Sequence, residues 1–255
     1  MELPAEIAAL LSRLRDGLLA RGDLVGLYVY GSLATGDFSS ACSDIDVIVM
    51  VEREPAEAAL QELAQLHTAV ARPGSFAERL HCLYVSVGAA PDPQRLHPYW
   101  FGNRMTEWKL KVMTQAELAS VGIAFHGPWP PPGIAPVPVA DLQAAVQEEM
   151  RGHWRRIADQ WAPWLQDGWI DHGLVALPRA EAVLVSGELI SKSEAINRLA
   201  DFGVPPMLAQ QIRHRRDGQQ TTLTRTRKVR RAFTARRIMR RGVRKLSSLA
   251  LSRPA

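Results

Sequence analysis

The chain is poor in cysteine: two among 255 residues, Cys42 and Cys82, with no metal-type spacing between them. That excludes a disulfide framework and points to a reducing, cytoplasmic setting. No apolar run reaches the length of a membrane span. The start carries Glu2 and Glu6 in place of a basic region followed by an apolar core, so no secretory signal peptide and no transmembrane segment are expected. Acidic residues nearly vanish from the last part of the chain. Fifteen of the 31 Lys and Arg lie from Arg213 onward against one acid, Asp217, which leaves 16 bases and 25 acids before it, a net of −9. An acidic body suits a cationic small substrate, and a basic end suits an anionic partner. With 47% hydrophobic residues, the chain can build one large domain or two modest ones.

The most informative stretch runs from Leu27 to Met50. An apolar, aromatic run stops at Gly31-Ser32, a loop follows, and Ser43-Asp44-Ile45-Asp46 opens a second apolar run. Side chains alternate faces along a strand, so Asp44 and Asp46, two apart, point the same way. Two neighbouring carboxylates repel unless a positive charge lies between them. Mg2+ suits such a pair, because it takes one or two carboxylates and completes its shell with substrate phosphates. Gly31 permits a positive φ or close approach to a phosphate. Ser32 stands where free backbone N–H groups attract anions.

Gly-Ser, a loop of this length, and Asp-hydrophobic-Asp-hydrophobic together resemble the signature of the polymerase-β-like nucleotidyltransferase superfamily. Within it, YGS…SDIDVIV is most similar to the streptomycin/spectinomycin-type aminoglycoside adenylyltransferases. The resemblance implies ATP held by Gly31 and Ser32, metal and catalysis at Asp44 and Asp46, and AMP transfer to a hydroxyl of a small, cationic, aminoglycoside-like acceptor, hence a place in antibiotic resistance. The family carries a glutamate, acting as general base, in the strand that here reads RLHCLYVSV. This strand has no acid, and His81 holds about that position. A histidine can accept a proton near neutral pH; it can equally be a half-buried strand residue with a hydrogen-bond partner. LVALPRAEAVLVSGELISKSEAI is similar to the family's helical C-terminal domain, which implies that Arg179 and Lys192 reach the nucleotide phosphates.

Apolar periodicity predicts helices at Pro4–Arg21 and Pro55–Val70 and strands on either side, a small mixed sheet flanked by helices. Pro91–Met105 reads as loop, in which Trp100 is a candidate for packing against the acceptor. Glu107–Met113 reads as strand. The Pro/Gly cluster from Gly127 to Gly133 marks a boundary. The expected organisation is therefore an α+β (α/β) nucleotidyltransferase domain at 1–127, a Pro-rich linker at 128–140, an all-α helical domain at 141–218 and a basic tail at 219–255. Asp171 either binds a substrate ammonium or pairs with a neighbouring base. The tail is a basic amphipathic helix for nucleic acid or an anionic surface, a disordered arm, or a segment folded back on the acidic body. The chain is expected to act as a monomer. The alternative to an enzyme is a nucleotidyltransferase fold with weakened turnover, a binding or regulatory protein acting through the tail.

Overall fold

A computed structural model describes residues 3–71, 76–89, 92 and 94–249. It divides into two units. The first holds the chain through Phe38 and Ser43–Val137; the second holds Ser39–Cys42 and the chain from Pro138 on.

In the first unit, α1 (Ala5–Leu19) precedes β1 (Leu24–Tyr30) and β2 (Ile45–Val51). Next come α2 (Glu57–Val70), β3 (Leu80–Ser86), β4 (Leu96–Phe101), β5 (Arg104–Lys109), α3 (Val112–Val121) and β6 (Ile123–His126). The sheet order is β5-β4-β3-β2-β1-β6. β2 and β3 pair in parallel, the other pairs antiparallel, giving the mixed sheet expected.

Alternation along β2 sorts its residues onto two faces. Ile45, Val47, Val49 and Val51 pack with the α1 stripe Ile7, Leu10, Leu11, Leu14 and Leu18 and with Leu63 and Val70 of α2. Ile48 and Met50 face the other way, against Leu110, Leu118 and Ile134. Asp46 shares this second face, at the end of the strand where the apolar cover has not begun.

The segment expected to be loop, Pro91–Met105, instead carries β4 and the start of β5; positions 91 and 93 lie outside the described residues. β4 pairs with β3 at Tyr99 and Trp100, so Pro98 lies beyond that ladder, while it stands opposite Glu107 in the β4–β5 ladder. Gly102 and Asn103, both at positive φ (57° and 59°), form the two-residue turn that joins Phe101 to Arg104. The strand expected at Glu107–Met113 ends at Lys109, and α3 begins at Val112.

The second unit is helical: α4 (Val139–Glu149) and α5 (Arg155–Asp159) joined through a π-helical turn, then α6 (Asp167–Ser186), α7 (Lys192–Asn197), α8 (Pro206–Arg216) and α9 (Arg225–Ser247). Gly187 ends α6 in the left-handed region, φ 74°. Ser191 caps α7 by accepting the Glu194 N–H. Of the readings left open for the tail, the structure shows the segment folded back on the body, as a helix whose Arg231 and Lys245 pair with Asp167 and Glu181 of α6. Ala232, Ala235, Ile238, Met239, Val243 and Leu246 of α9 are buried, and a Cβ at Gly242 would come within 2.6 Å of Leu177 on α6. Residues 250–255 lie outside the described residues.

Beneath the first face, the His67 ring stacks on Trp100 (centroids 4.5 Å, 5°) and its Nε2 lies 2.7 Å from the Tyr84 hydroxyl. Its Nδ1 is buried with no hydrogen-bond partner among the described residues. Burial lowers its pKa to about 3, so the folded protein holds the neutral ring. The unfolded chain takes up that proton first as pH falls below about 6.5, so stability should be lost from there down to about 3. His67→Gln removes the titration. In urea unfolding, the stability difference between wild type and this variant should shrink by roughly 2–3 kcal/mol from about pH 7 to about pH 4.5. A difference independent of pH would contradict the neutral buried ring.

Candidate active site

Three strands meet at the open end of the second sheet face. The register sets Tyr30 opposite Asp46 across β1 and β2, and Asp46 beside His81 across β2 and β3. His81 Nδ1 lies 3.5 Å from an Asp46 oxygen, and Nε2 lies 3.8 Å from an Asp44 oxygen. Both aspartates therefore turn to one side, with the imidazole spanning the gap between them. Their side chains are 42% (Asp44) and 27% (Asp46) exposed, and that of His81 is 15% exposed, so the pair opens to solvent.

Gly31 is required here twice over. Its φ of +67° is one that L side chains rarely adopt, and a Cβ would sit 2.6 Å from Asp46 Oδ2. The chain turns directly after it: Thr35 N–H donates to Gly31 O at 3.0 Å and Asp37 N–H to Ser32 O at 2.9 Å. Ser32 thus opens a tight turn beside the carboxylates. Hard oxygen donors on one face, next to a position kept clear of side chain, fit a magnesium ion at Asp44 and Asp46. Among the described residues no three His, Cys, Asp or Glu side chains converge on a metal-holding point; a magnesium ion held by the two aspartates would complete its shell with phosphate oxygens and water.

Aromatic rings flank His81. Phe101 lies 4.8 Å and Tyr99 6.1 Å away between ring centroids, Tyr99 and Phe101 stack at 5.8 Å, and Trp108 stacks on Tyr99 at 6.2 Å. Desolvation, then the charges of Asp46 and Asp44, push the Tyr99 hydroxyl pKa up; Tyr30 is raised by burial and by Asp46. Both phenols stay protonated near neutral pH and act as neutral hydrogen-bonding groups. Sequence reasoning missed Tyr99 and Phe101 and chose Trp100. Trp100 is 4% exposed and lies on the other face, in the core with His67. The period-2 alternation of a strand was the available signal, hidden by reading the segment as loop.

The remaining candidates belong to the second unit. Arg179 on α6 is half-buried, and its Nε donates to Ile190 O at 3.1 Å, which ties down the segment leading to Lys192. Lys192 is exposed at the first position of α7. Asp171 is held by Arg215, whose Nε and an Nη reach its two oxygens at 2.8 and 2.5 Å. Desolvation raises the Asp171 pKa, and that guanidinium opposes the shift. Of the two roles left open for Asp171, the structure shows the ion pair.

Comparison with known proteins bears on this geometry. Residues 11–86 match the family profile of the nucleotidyltransferase domain, a span that contains Gly31, Ser32, Asp44, Asp46 and His81. A spectinomycin adenyltransferase from Enterococcus faecialis, solved with ATP and spectinomycin, superimposes with a TM-score of 0.67 at 15% identity. The alignment covers 93% of this chain and 99% of that one. No curated protein sequence matches the chain. The shared fold is a sheet domain followed by a helical region, as the sequence led one to expect.

Gly31→Ala should cost roughly 1–3 kcal/mol through the left-handed φ alone, and should also displace the Asp46 carboxylate. Urea unfolding would measure the first effect. Magnesium-dependent nucleotide binding, followed by calorimetry under fully folding conditions, should fall at least about tenfold through the second. Unchanged binding in a folded variant would show that the clearance beside Asp46 has no part in the site.

Proposed function

Taking as premise that the chain is an enzyme of nucleotidyltransferase type, we propose that it transfers AMP from ATP to a hydroxyl of a small cationic acceptor with magnesium at Asp44 and Asp46. The observation that carries this reading is the pair of solvent-open aspartates on one sheet face, bridged by His81 and cleared by Gly31. Magnesium, when bound, neutralises charge on the phosphate oxygens and on the departing pyrophosphate.

The chain's own groups supply the rest. The Gly31-Ser32 turn lets backbone N–H groups approach a phosphate without a side chain in the way. The acceptor oxygen forms a bond to the α-phosphorus as the bond from that phosphorus to the oxygen bridging the β-phosphate breaks; pyrophosphate leaves with the electron pair. The acceptor's proton goes to a ring nitrogen of His81, which lies within 3.8 Å of an oxygen of each aspartate. The net charge of −9 up to Ile212 favours a cationic acceptor, aminoglycoside-like in chemistry, and the structural neighbour was solved with spectinomycin.

Pyrophosphate release from ATP and magnesium, assayed over a panel of aminocyclitol and aminoglycoside acceptors, tests this. Asp44→Asn and Asp46→Asn should each lower turnover by about 10³-fold or more with unchanged folding. His81→Asn should lower it by about 10²-fold. Wild-type turnover in either aspartate variant would refute the metal site. Full turnover in His81→Asn would remove the histidine from proton transfer and leave the metal site standing.

A further inference from the structure

α9 carries more positive charge than the fold uses. It holds nine arginines and two lysines in 23 residues and no acid. Three of these bases are engaged by acids of the same unit: Arg231 with Asp167, Arg240 with Asp159 and Lys245 with Glu181. The buried apolar stripe holds the helix in place, so Arg230, Arg237, Arg240, Arg241 and Arg244 are left on the exposed side. They extend over about 21 Å of helix at about 1.5 Å per residue.

Two adjoining hollows run along this side, about 370 and 240 Å³ in volume. Arg240 and Arg244 line both; Arg155 on α5 joins them in the first, Arg236 and Arg237 in the second. One carboxylate, Asp159, faces these five guanidiniums, so the lining has a net charge of about +4. Next to the second hollow two large aromatics are exposed: Trp161, 47%, and Phe233, 57%. Their rings meet edge to face at 6.2 Å, and the Arg236 guanidinium lies 5.2 Å over Trp161.

We propose that this α5–α9 surface binds single-stranded nucleic acid. A row of guanidiniums matches a row of phosphates; Arg236 is tied to the Asp159 and Gln160 carbonyls and Arg240 to the Asp159 carboxylate, so these two contribute charge and the others the pairing. Exposed rings beside such a row give unstacked bases a surface to stack on, the combination that single-strand binding uses. A membrane is the weaker match. An amphipathic helix binds bilayers by inserting its apolar face, and here that face is buried within the unit. The inference is independent of the transferase reading and uses no residue of the aspartate site.

The test uses the full chain and a fluorescent single strand of roughly 12 nucleotides, as RNA and as DNA, read by anisotropy. Duplex of the same sequence, phosphatidylserine vesicles and tripolyphosphate are the comparison ligands. Either single strand should bind more tightly than duplex, with a log–log salt slope near about −3. R237Q/R241Q/R244Q, all at exposed positions, should keep the wild-type thermal melt, weaken binding at least about tenfold and flatten the slope by about 2. Phe233→Ala should weaken binding roughly tenfold with the slope unchanged, because stacking carries no counterion release. Asp46→Asn should leave binding intact while it abolishes AMP transfer. Duplex binding equal to single strand, binding unaffected by the triple substitution, tripolyphosphate competing at an equal phosphate concentration, or vesicle binding without oligonucleotide binding would each overturn the proposal.

Discussion

Two like charges held on one face of a sheet are the constraint around which the first unit is built. A carboxylate pair this close repels itself, and burial would multiply the cost. The fold answers by placing the pair at the end of β2, just before the apolar cover starts. Asp44 and Asp46 remain partly wet, while Ile48 and Met50 on the same face are sealed. The neighbouring strand ends follow from that choice. β1 must turn away at once, and it does so at a glycine whose missing Cβ leaves the Asp46 oxygen its place. β3 brings an imidazole whose two nitrogens face the two carboxylates. The flanking phenols are held neutral by burial and by those same negative charges.

The parts of this arrangement that were legible in the sequence are the local ones. Gly31, Asp44 and Asp46 lie within 16 positions of one another, and strand alternation alone puts both acids on one side. His81 is parallel to Asp46 through a crossover, and the family resemblance, not periodicity, drew attention to it. The β4–β5 hairpin was not legible because Pro91–Met105 reads as loop, whereas β4 pairs along its length with β5 and meets β3 at two residues. That error moved the aromatic choice by one residue, from Tyr99 or Phe101 to Trp100. In a strand, one residue is the whole distance between the site and the core.

The second unit shows the same logic applied to charge. Read linearly, the chain is an acidic body with a basic end, and the two invite a long-range electrostatic embrace. What forms is more local. Arg215 holds Asp171 and approaches Asp167, Arg231 reaches Asp167, and Lys245 meets Glu181, all on α6. Arg231 is nearly buried, with its Nε and one Nη lacking hydrogen-bond partners among the described residues. The position of α9 therefore rests on its apolar stripe and the close contact at Gly242, with the ion pairs fixing register at a desolvation cost.

In the proposed reaction, a histidine at position 81 would alter the electrostatics of the site as well as its proton chemistry. Two carboxylates with a divalent cation would leave the site near neutrality, whereas a third carboxylate would leave it about one charge negative. A near-neutral site would receive a polyanionic triphosphate with less repulsion. The same change would remove attraction for a cationic acceptor at the point of reaction. A positively charged acceptor would then be recognised by groups set back from the phosphates. The rings of Tyr99, Phe101 and Trp108 stand on the same sheet face as the acids, and their faces can hold a cation without adding net charge to the metal centre.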